Sequence, residues 1–208
     1  MKLMFASDIH GSASCCRKLL ERFEIEKPDK LILLGDLLYH GPRNDLPEDY
    51  APKEVIKMLN GMKKHLLCVR GNCEAEVDQM VLEFPVMADY MTMWTDDRMF
   101  FCTHGHLYDI ENMPNISEGD VVLSGHTHLF RAEKKNGIYY INTGSVSLPK
   151  GGNPKSYVIY KDRMFEVLDM DGKHLTGIVA KDLFKDNEIR SYHKPEKDDE
   201  NESSYCRR

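Results

Sequence analysis

Residues 31–36, four large apolar residues followed by Gly-Asp, constrain the fold more than any other stretch of the chain. A short apolar run of this kind, bounded by turn-forming residues, is typical of a strand buried on both faces. Residues 2–11 repeat the pattern, because an apolar run there ends in Asp8-Ile9-His10. Open α/β sheets bind ligands at the carboxyl ends of their strands. We therefore expect Asp8, His10 and Asp36 to meet at one sheet edge.

Helix-like and strand-like patterns alternate along the first half of the chain, and short strands follow one another in the second half. The apolar spacing predicts helices at residues 13–26, 52–61 and 75–82. Further strands are predicted at residues 65–69, 87–94, 99–103, 121–124, 129–133, 138–142, 156–160, 164–169 and 176–180, with a hairpin turn at 95–98. This order predicts an α/β fold with two mixed sheets. Residues 1–184 form one predicted domain, and the charged residues 185–208 form a predicted disordered tail.

Composition narrows the class of protein. The 208 residues are 41% hydrophobic and 30% charged, as expected for a globular domain. A formal net charge of −6 argues against a nucleic-acid partner, and no stretch is apolar enough to predict a membrane span. The six cysteines include no C-x-x-C pair, and no signal peptide is apparent. We therefore predict a cytoplasmic protein with reduced thiols.

Polar side chains follow five of the predicted strands. These motifs contain five of the nine histidines, and their candidate metal ligands are Asp8, His10, Asp36, Asn72, His104, His126 and His128. Two histidines one residue apart on an extended chain would face the same side, so His126 and His128 could reach one site. Carboxylate, amide and imidazole donors without thiolates suit first-row divalent ions. Seven donors are too many for one catalytic ion, but they suit two ions ~3.5–4 Å apart.

Each motif taken alone has a structural explanation. Asp8 and Asn72 could simply form turns, and His104 could be a hydrogen-bonded core residue. Five such explanations would be needed at once, so we favour the metal site. His106 could orient a ligand or close its loop, and Arg43, in the long loop 37–52, could contact phosphate or solvent.

The ordered motifs D-x-H, G-D, G-N-x-E, H-G-H and G-H-T-H resemble those of the calcineurin-like metallophosphoesterase superfamily. Residues 41–44, 70–73, 76–80, 144–147 and 149–154 further resemble the YfcE-type bacterial phosphodiesterases. The resemblance covers residues 1–180. It implies a four-layer α/β/β/α sandwich and a homo-oligomer.

The resemblance also implies a ligand assignment. One ion would be held by Asp8, His10, Asp36 and His128, and the other by Asp36, Asn72, His104 and His126. Asp36 would bridge the two ions, which we expect to be Mn²⁺, with Fe²⁺, Zn²⁺ and Ni²⁺ as alternatives. Asn72 and His104 would also orient the phosphate.

Cys73 departs from the superfamily pattern, which has a histidine at this position as the proton donor to the leaving oxygen. A thiol is a poorer general acid than imidazole near neutral pH. The YfcE-type group shares this cysteine, so the departure supports the narrower resemblance. A packing role for Cys73 and a catalytic role both stay open.

The resemblance therefore implies a phosphodiesterase that hydrolyses small phosphodiesters with a dimetal-activated water. A phosphomonoesterase or nucleotide pyrophosphatase on the same site is the alternative enzyme. The alternative outside the enzymes is a non-catalytic binding module, like the small subunit of the retromer coat. Such modules have an incomplete ligand set, whereas the set in this chain is intact.

Overall fold

A computed structural model describes residues 1–113 and 115–181. The predicted tail, residues 185–208, lies outside the described residues. The helices are α1 (Ala13–Glu26), α2 (Pro52–Gly61) and α3 (Glu76–Val81), with a 3-10 turn at Lys63–His65. The strands are β1 (Lys2–Ala6), β2 (Lys30–Leu33), β3 (Leu66–Cys68), β4 (Tyr90–Thr95), β5 (Arg98–Thr103), β6 (Val121–Ser124), β7 (Phe130–Lys135), β8 (Ile138–Thr143), β9 (Ser156–Lys161), β10 (Met164–Asp169) and β11 (His174–Val179).

The strands form two sheets that both mix parallel and antiparallel pairs. The first has the order β11-β10-β9-β1-β2-β3, with β1, β2 and β3 parallel to one another. The second has the order β4-β5-β6-β8-β7, with β5, β6 and β8 parallel and the edge strands β4 and β7 antiparallel. The prediction of an α/β sandwich with two mixed sheets is confirmed.

Two buried cores lie on opposite faces of the first sheet because side chains alternate along each strand. In β1, Met4 faces the core beneath α1 and α2, whereas Phe5 faces the core between the sheets. The neighbouring β2 repeats this alternation with Leu31 and Ile32. Residues buried on both faces produce the continuous apolar runs seen in the sequence.

Helices cover the outer face of the first sheet, whereas a loop covers part of the outer face of the second. Residues 105–113 form a loop over this face, and the ring of Tyr108 packs edge-on against Phe101 and Tyr90. Between this loop and strands β6 to β8 lies a cavity of about 320 Å³. In the described ranges, no helix is long and apolar enough to cross a membrane.

Two local predictions differ from the structure. The strand predicted at 87–94 begins only at Tyr90, because Arg70 binds the preceding segment: its N–H donates to the Ala88 carbonyl at 2.7 Å and its Nε to Asp89 at 2.8 Å. Arg98, placed in a turn by the sequence, is the first residue of β5 and is fully buried. Its Nη1 donates to the Gly119 carbonyl at 3.0 Å, which satisfies part of the buried guanidinium.

Candidate metal centre

All seven predicted ligands lie at one edge of the two sheets, in the loops that follow five strands. These loops follow β1, β2, β3, β5 and β6 and carry Asp8, His10, Asp36, Asn72, His104, His126 and His128. The carboxyl ends of parallel strands meet at the same edge, so each sheet brings its own ligands together. The first two loops continue the strand pairing: the N–H of Asp8 donates to the Gly35 carbonyl at 3.0 Å, and that of His10 to the Asp36 carbonyl at 2.9 Å.

Five of these residues have a left-handed backbone conformation. Their φ angles lie between 50° and 65°, at Asp8, His10, Asp36, His126 and His128. Side chains rarely adopt this conformation, which costs on the order of 1–3 kcal/mol per residue. Tight reversals directly after the strands therefore turn these side chains to the sheet edge.

The backbone geometry corrects one step of the sequence interpretation. His126 and His128 were expected on an extended chain, but β6 ends at Ser124 and both histidines are left-handed. A tight turn separates them, in which the Thr127 N–H donates to the Gly125 carbonyl at 2.7 Å. The two rings therefore reach the same cluster from a turn, not from one face of a strand.

Three imidazoles direct the same nitrogen, Nε2, into the cluster. In His10, His104 and His128, Nδ1 lies 2.8, 2.6 and 2.5 Å from a backbone carbonyl oxygen. A carbonyl only accepts hydrogen bonds, so Nδ1 carries the hydrogen and Nε2 of the neutral ring keeps its lone pair. The Nε2 atoms of His10 and His128 face each other at 3.2 Å. His126 contributes Nδ1 instead, 3.2 Å from Nε2 of His104.

The carboxylate and amide oxygens lie close to these ring nitrogens but cannot donate hydrogen bonds to them. Oδ1 of Asp8 is buried without a hydrogen-bond partner among the described residues, 3.2 Å from Nε2 of His128. Oδ2 of Asp36 lies 3.4 Å from Nε2 of His104 and 3.7 Å from Nε2 of His10. Buried lone pairs facing one another need a cation or a proton between them. The donor set therefore fits divalent metal ions, with the ring tautomers fixed by backbone carbonyls as in known metal sites.

Electrostatics favour cations at this edge. Burial alone would raise the pKa of Asp8, but His10 and His128 hold it well below its usual range. Burial would likewise raise the pKa of Asp36, and His104 lowers it. Burial would lower the pKa of His104, whereas Asp36 and Asp8 raise it to about 9. Both carboxylates are therefore charged at neutral pH and attract positive charge.

Glu74 braces the half of the site that belongs to the first sheet. Its buried carboxylate accepts the backbone N–H groups of Asp36 at 2.8 Å, Leu37 at 2.6 Å and Gly71 at 2.5 Å. Gly71 is required here because a Cβ at this position would collide with Oδ1 of Asp36. One side chain thus ties the loop after β2 to the loop after β3. No role for Glu74 was predicted from the sequence, although its place in G-N-x-E is a usable signal.

Asn142 braces the half of the site that belongs to the second sheet. Its Nδ2 donates to the Gly125 carbonyl at 2.7 Å, and its Oδ1 accepts the Gly144 N–H at 2.9 Å. Asn142 was missed because it lies inside β8, away from every motif. A polar residue near the end of an otherwise apolar strand is the signal that could have found it.

Ser7 fixes the orientation of Asp8. The Ser7 hydroxyl donates to Oδ2 of Asp8 at 2.5 Å, and the same oxygen accepts the His126 N–H at 3.1 Å. These bonds occupy Oδ2 and leave Oδ1 for the cluster. Asp8 thereby joins the loops of both sheets.

A cleft opens above the cluster. Besides Asp36, Asn72, His126 and His128, it is lined by Gly41, Pro42, Arg43, Asn44, Cys73 and Lys150. Arg43 and Lys150 are exposed and bring positive charge to the rim. Cys73 is half-buried at the wall, and burial together with Asp36 raises the pKa of its thiol. The cleft thus combines cationic side chains with the proposed metal cluster, an arrangement suited to an anionic ligand.

Two further histidines lie near the cluster but outside the cleft wall. His40 packs against Tyr39 and Tyr50, with ring centroids 4.7 and 5.4 Å away. The ring of His106 lies 5.3 Å from that of His104, and burial together with its histidine neighbours lowers the pKa of His106 to about 4. Nδ1 of His106 is buried without a hydrogen-bond partner in the described part of the chain. Its neutral ring packs beside the ligands.

Comparison with known proteins identifies the family. The profile of the Calcineurin-like phosphoesterase superfamily domain matches residues 1–163. The phosphodiesterase YfcE of Escherichia coli (strain K12) is 46% identical over 180 residues, which cover 86% of this chain and 98% of YfcE. The solved structure of YfcE, 45% identical, superposes with a TM-score of 0.85 and covers 87% of this chain and 100% of that one. Wild-type Vps29 of Entamoeba histolytica in complex with Zn²⁺, 14% identical, covers 87% of this chain and 100% of its own with a TM-score of 0.56, and shares the fold alone. The chain belongs to the calcineurin-like phosphoesterase superfamily.

Proposed function

We propose that this protein is a metal-dependent phosphodiesterase acting on small phosphodiesters. The convergence of seven nitrogen and oxygen donors at one sheet edge, three of them with tautomers fixed by backbone carbonyls, carries the proposal. Family membership implies divalent metal ions. The name of the relative YfcE supports the diester as substrate class.

We assign the donors to two ions. Asp8, His10 and His128, whose ligand atoms lie within 4.8 Å of one another, would hold one ion together with Asp36. Asp36 and His104, whose ligand atoms lie within the same distance of each other and of Asp8, form the core of the second group. Asn72 and His126 complete the second group, with Oδ1 and Nδ1 at 3.1 and 3.2 Å from Nε2 of His104. Oδ2 of Asp36 lies between the rings of His10 and His104, which supports a bridging role.

Two divalent cations, when bound, would activate a water and offset the charge of the phosphoryl oxygens. The remaining functions fall to the chain itself. Arg43 and Lys150 at the cleft rim would attract the phosphate, and the Asn72 amide and His104 would orient it. The imidazole general acid usual in this superfamily is replaced by Cys73, whose raised pKa leaves it protonated but a weak acid. Substrates with good leaving groups should therefore react fastest.

The experiment uses the full-length protein loaded with Mn²⁺ and two aryl esters, bis(4-nitrophenyl) phosphate and 4-nitrophenyl phosphate. We expect hydrolysis of the diester to exceed that of the monoester, to stop when a chelator removes the metal, and to return with Mn²⁺. Elemental analysis should approach two Mn²⁺ per chain.

The other outcomes separate the alternatives. Faster hydrolysis of the monoester would establish the phosphomonoesterase instead. No hydrolysis of either ester despite two bound ions would favour a non-catalytic binding module. One firmly bound ion with full activity would contradict the bridging role of Asp36.

Manganese, a cytoplasmic location, a homo-oligomeric state and the absence of a nucleic-acid partner belong to the same proposal. Five described cysteines are free, which supports a reducing compartment. Trp94, 76% exposed on the edge strand β4, supports a contact between copies. The net charge of −6 speaks against nucleic acid. Sedimentation of the protein with and without Mn²⁺ measures the oligomeric state.

A further inference from the structure

A thiol lies at the junction of the two proposed ion positions. A ring nitrogen of His10, a carboxylate oxygen of Asp36 and Sγ of Cys73 all lie within 4.8 Å of one another. His10 belongs to the group that contains His128, and Asp36 to the group that contains His104. Cys73 therefore reaches one residue from each group and adds a sulfur to a set of nitrogen and oxygen donors.

The surroundings hold this sulfur at the site. The Cys73 N–H donates to Oδ1 of Asp36 at 2.9 Å, which fixes the backbone from which the side chain projects. Nδ2 of Asn72 lies 3.3 Å from Sγ. On the other side, a Cβ at Gly41 would come within 3.0 Å of Sγ, so the glycine there leaves the sulfur its position. Sγ is enclosed between the Gly41 backbone and the cluster.

The chemistry of sulfur determines which cations this arrangement suits. Thiolate is a soft ligand that favours Zn²⁺ and related thiophilic cations, whereas Mn²⁺ favours oxygen and nitrogen. Zinc binds sulfur at about 2.3 Å and nitrogen or oxygen at about 2.0–2.2 Å, which places ligand atoms of one tetrahedral ion ~3.5 Å apart. The three atoms, which lie within 4.8 Å of one another, would therefore need to draw together by at most about 1.3 Å.

We propose that Cys73 is a sulfur ligand for a thiophilic divalent cation, Zn²⁺ or Cd²⁺, bound together with His10 and Asp36, and that Mn²⁺ does not take this ligand. On binding, the thiol releases its proton to solvent and no other covalent bond changes. The sulfur would hold the cation at the wall of the cleft, where the phosphate is proposed to bind. This inference deepens the proposed function by assigning an inhibitory class of metal to the same site.

The first measurement is independent of hydrolysis. Metal-free full-length protein is titrated with Cd²⁺, and the ultraviolet charge-transfer absorption of cadmium–thiolate bonds is followed. Wild type and Cys15→Ser should gain a band of equal size, because Cys15 lies outside the metal-binding groups beside Lys155. Cys73→Ser should lose the band and bind Cd²⁺ at least about tenfold more weakly, as expected for a lost ligand.

Retained folding of Cys73→Ser is established by its melting temperature and by its Mn²⁺ affinity, which should change less than twofold. If this variant does not fold, Cys73→Ala serves in its place. A full band in either folded variant, or no band in wild type, would overturn the proposal. An equal loss of Mn²⁺ and Cd²⁺ affinity would also overturn it, because the sulfur would then not discriminate between the cations.

The second measurement links the ligand to turnover. With Mn²⁺ present, added Cd²⁺ should inhibit diester hydrolysis by wild type at about tenfold lower concentration than by Cys73→Ser. Equal inhibition of both proteins would contradict the inhibitory role. A cadmium–thiolate band without any diester hydrolysis would instead uphold the sulfur ligand and refute the proposed function.

Discussion

The two halves of the candidate metal centre are both built from loops that follow strands, but a carboxyl group supports one half and an amide supports the other. In the first sheet, the carboxyl group of Glu74 accepts three backbone N–H groups from two loops, and burial together with Asp36 raises its pKa to about 7. In the second, the neutral Asn142 accepts the Gly144 N–H, while its Nδ2 donates to the Gly125 carbonyl and lies 3.2 Å from the hydroxyl oxygens of Ser124 and Thr127. Three N–H donors are matched by the two acceptor oxygens of a carboxyl group, whereas a carbonyl and an N–H are matched by an amide. Glu74 ties together two loops that carry predicted ligands, whereas Asn142 fixes the turn after β6, so loss of Glu74 should disturb more of the site.

The largest loss of turnover is expected from substituting Asp36, which lies between the two halves of the site. Asp36→Asn removes the carboxylate that faces both His10 and His104 and should weaken both ions at once. We expect diester turnover at saturating Mn²⁺ to fall by about 10³-fold, the upper end of the loss when one electrostatic contact to the reacting group is removed. Cys73→Ala, from the same half, serves as comparison and should lose less. Wild-type turnover in Asp36→Asn would refute the mechanism.

Cys73→His tests whether turnover is limited by the lack of a proton donor to the leaving oxygen. Imidazole titrates near pH 6.5 and would stand at the cleft wall. We expect turnover to rise by about 10²-fold for the poorest leaving groups, the lower end of the gain from general acid catalysis, and little for the best. A series of aryl phosphodiesters with graded phenol pKa values measures the slope for wild type and variant. Parallel slopes would mean that position 73 packs the site and that the acid lies elsewhere.

Glu74→Gln tests the brace of the first half. The amide cannot accept at both ends, so at least one buried N–H loses its partner at a cost of about 1–3 kcal/mol. We expect a melting temperature lower by several degrees and Mn²⁺ affinity weaker by about 10–100-fold. The exposed Glu76→Gln is the matched control and should change neither quantity. Similar losses in both variants would mean that charge, and not the brace, is responsible.

Asn142→Asp tests the brace of the second half, and its effect should be smaller. The carboxylate loses the donation to the Gly125 carbonyl but can still accept the Gly144 N–H. We expect Mn²⁺ affinity to weaken by about tenfold, measured by titration next to Asn136→Asp, an exposed control in the turn between β7 and β8. A loss larger than that of Glu74→Gln would reverse the comparison between the halves.

The smallest effect is expected from removing the segment that contains no site motif. Truncation after Phe184 removes the charged residues 185–208, which contain no site motif. The described fold extends at least to Lys181, whose N–H donates to the Tyr139 hydroxyl at 3.1 Å. We therefore expect unchanged turnover and a melting temperature within about 1 °C of the full chain. A drop of several degrees would show that the removed segment stabilises the protein.

The convergence of the candidate ligands could be predicted from the sequence, whereas the residues that support them could not. Asp8 and Asp36 follow apolar runs, and the parallel geometry of β1 and β2 makes such strand ends meet, so their proximity could be inferred. The tight turn that carries His126 could not, because it depends on hydrogen bonds to distant residues such as Asn142. The burial of Arg98 was missed for the same reason: its partners are remote carbonyls that no local pattern reveals.

The left-handed residues of the metal centre have a consequence for protein engineering. At Asp8, His10, Asp36, His126 and His128 the backbone adopts a conformation that glycine tolerates far better than other residues. Substitution of these residues by glycine could stabilise the fold but would remove the candidate metal ligands. Selection for thermostability alone would therefore tend to favour the loss of these ligands. Libraries that aim for a hardier enzyme should hold these five positions fixed and place their diversity on the opposite end of the sheets.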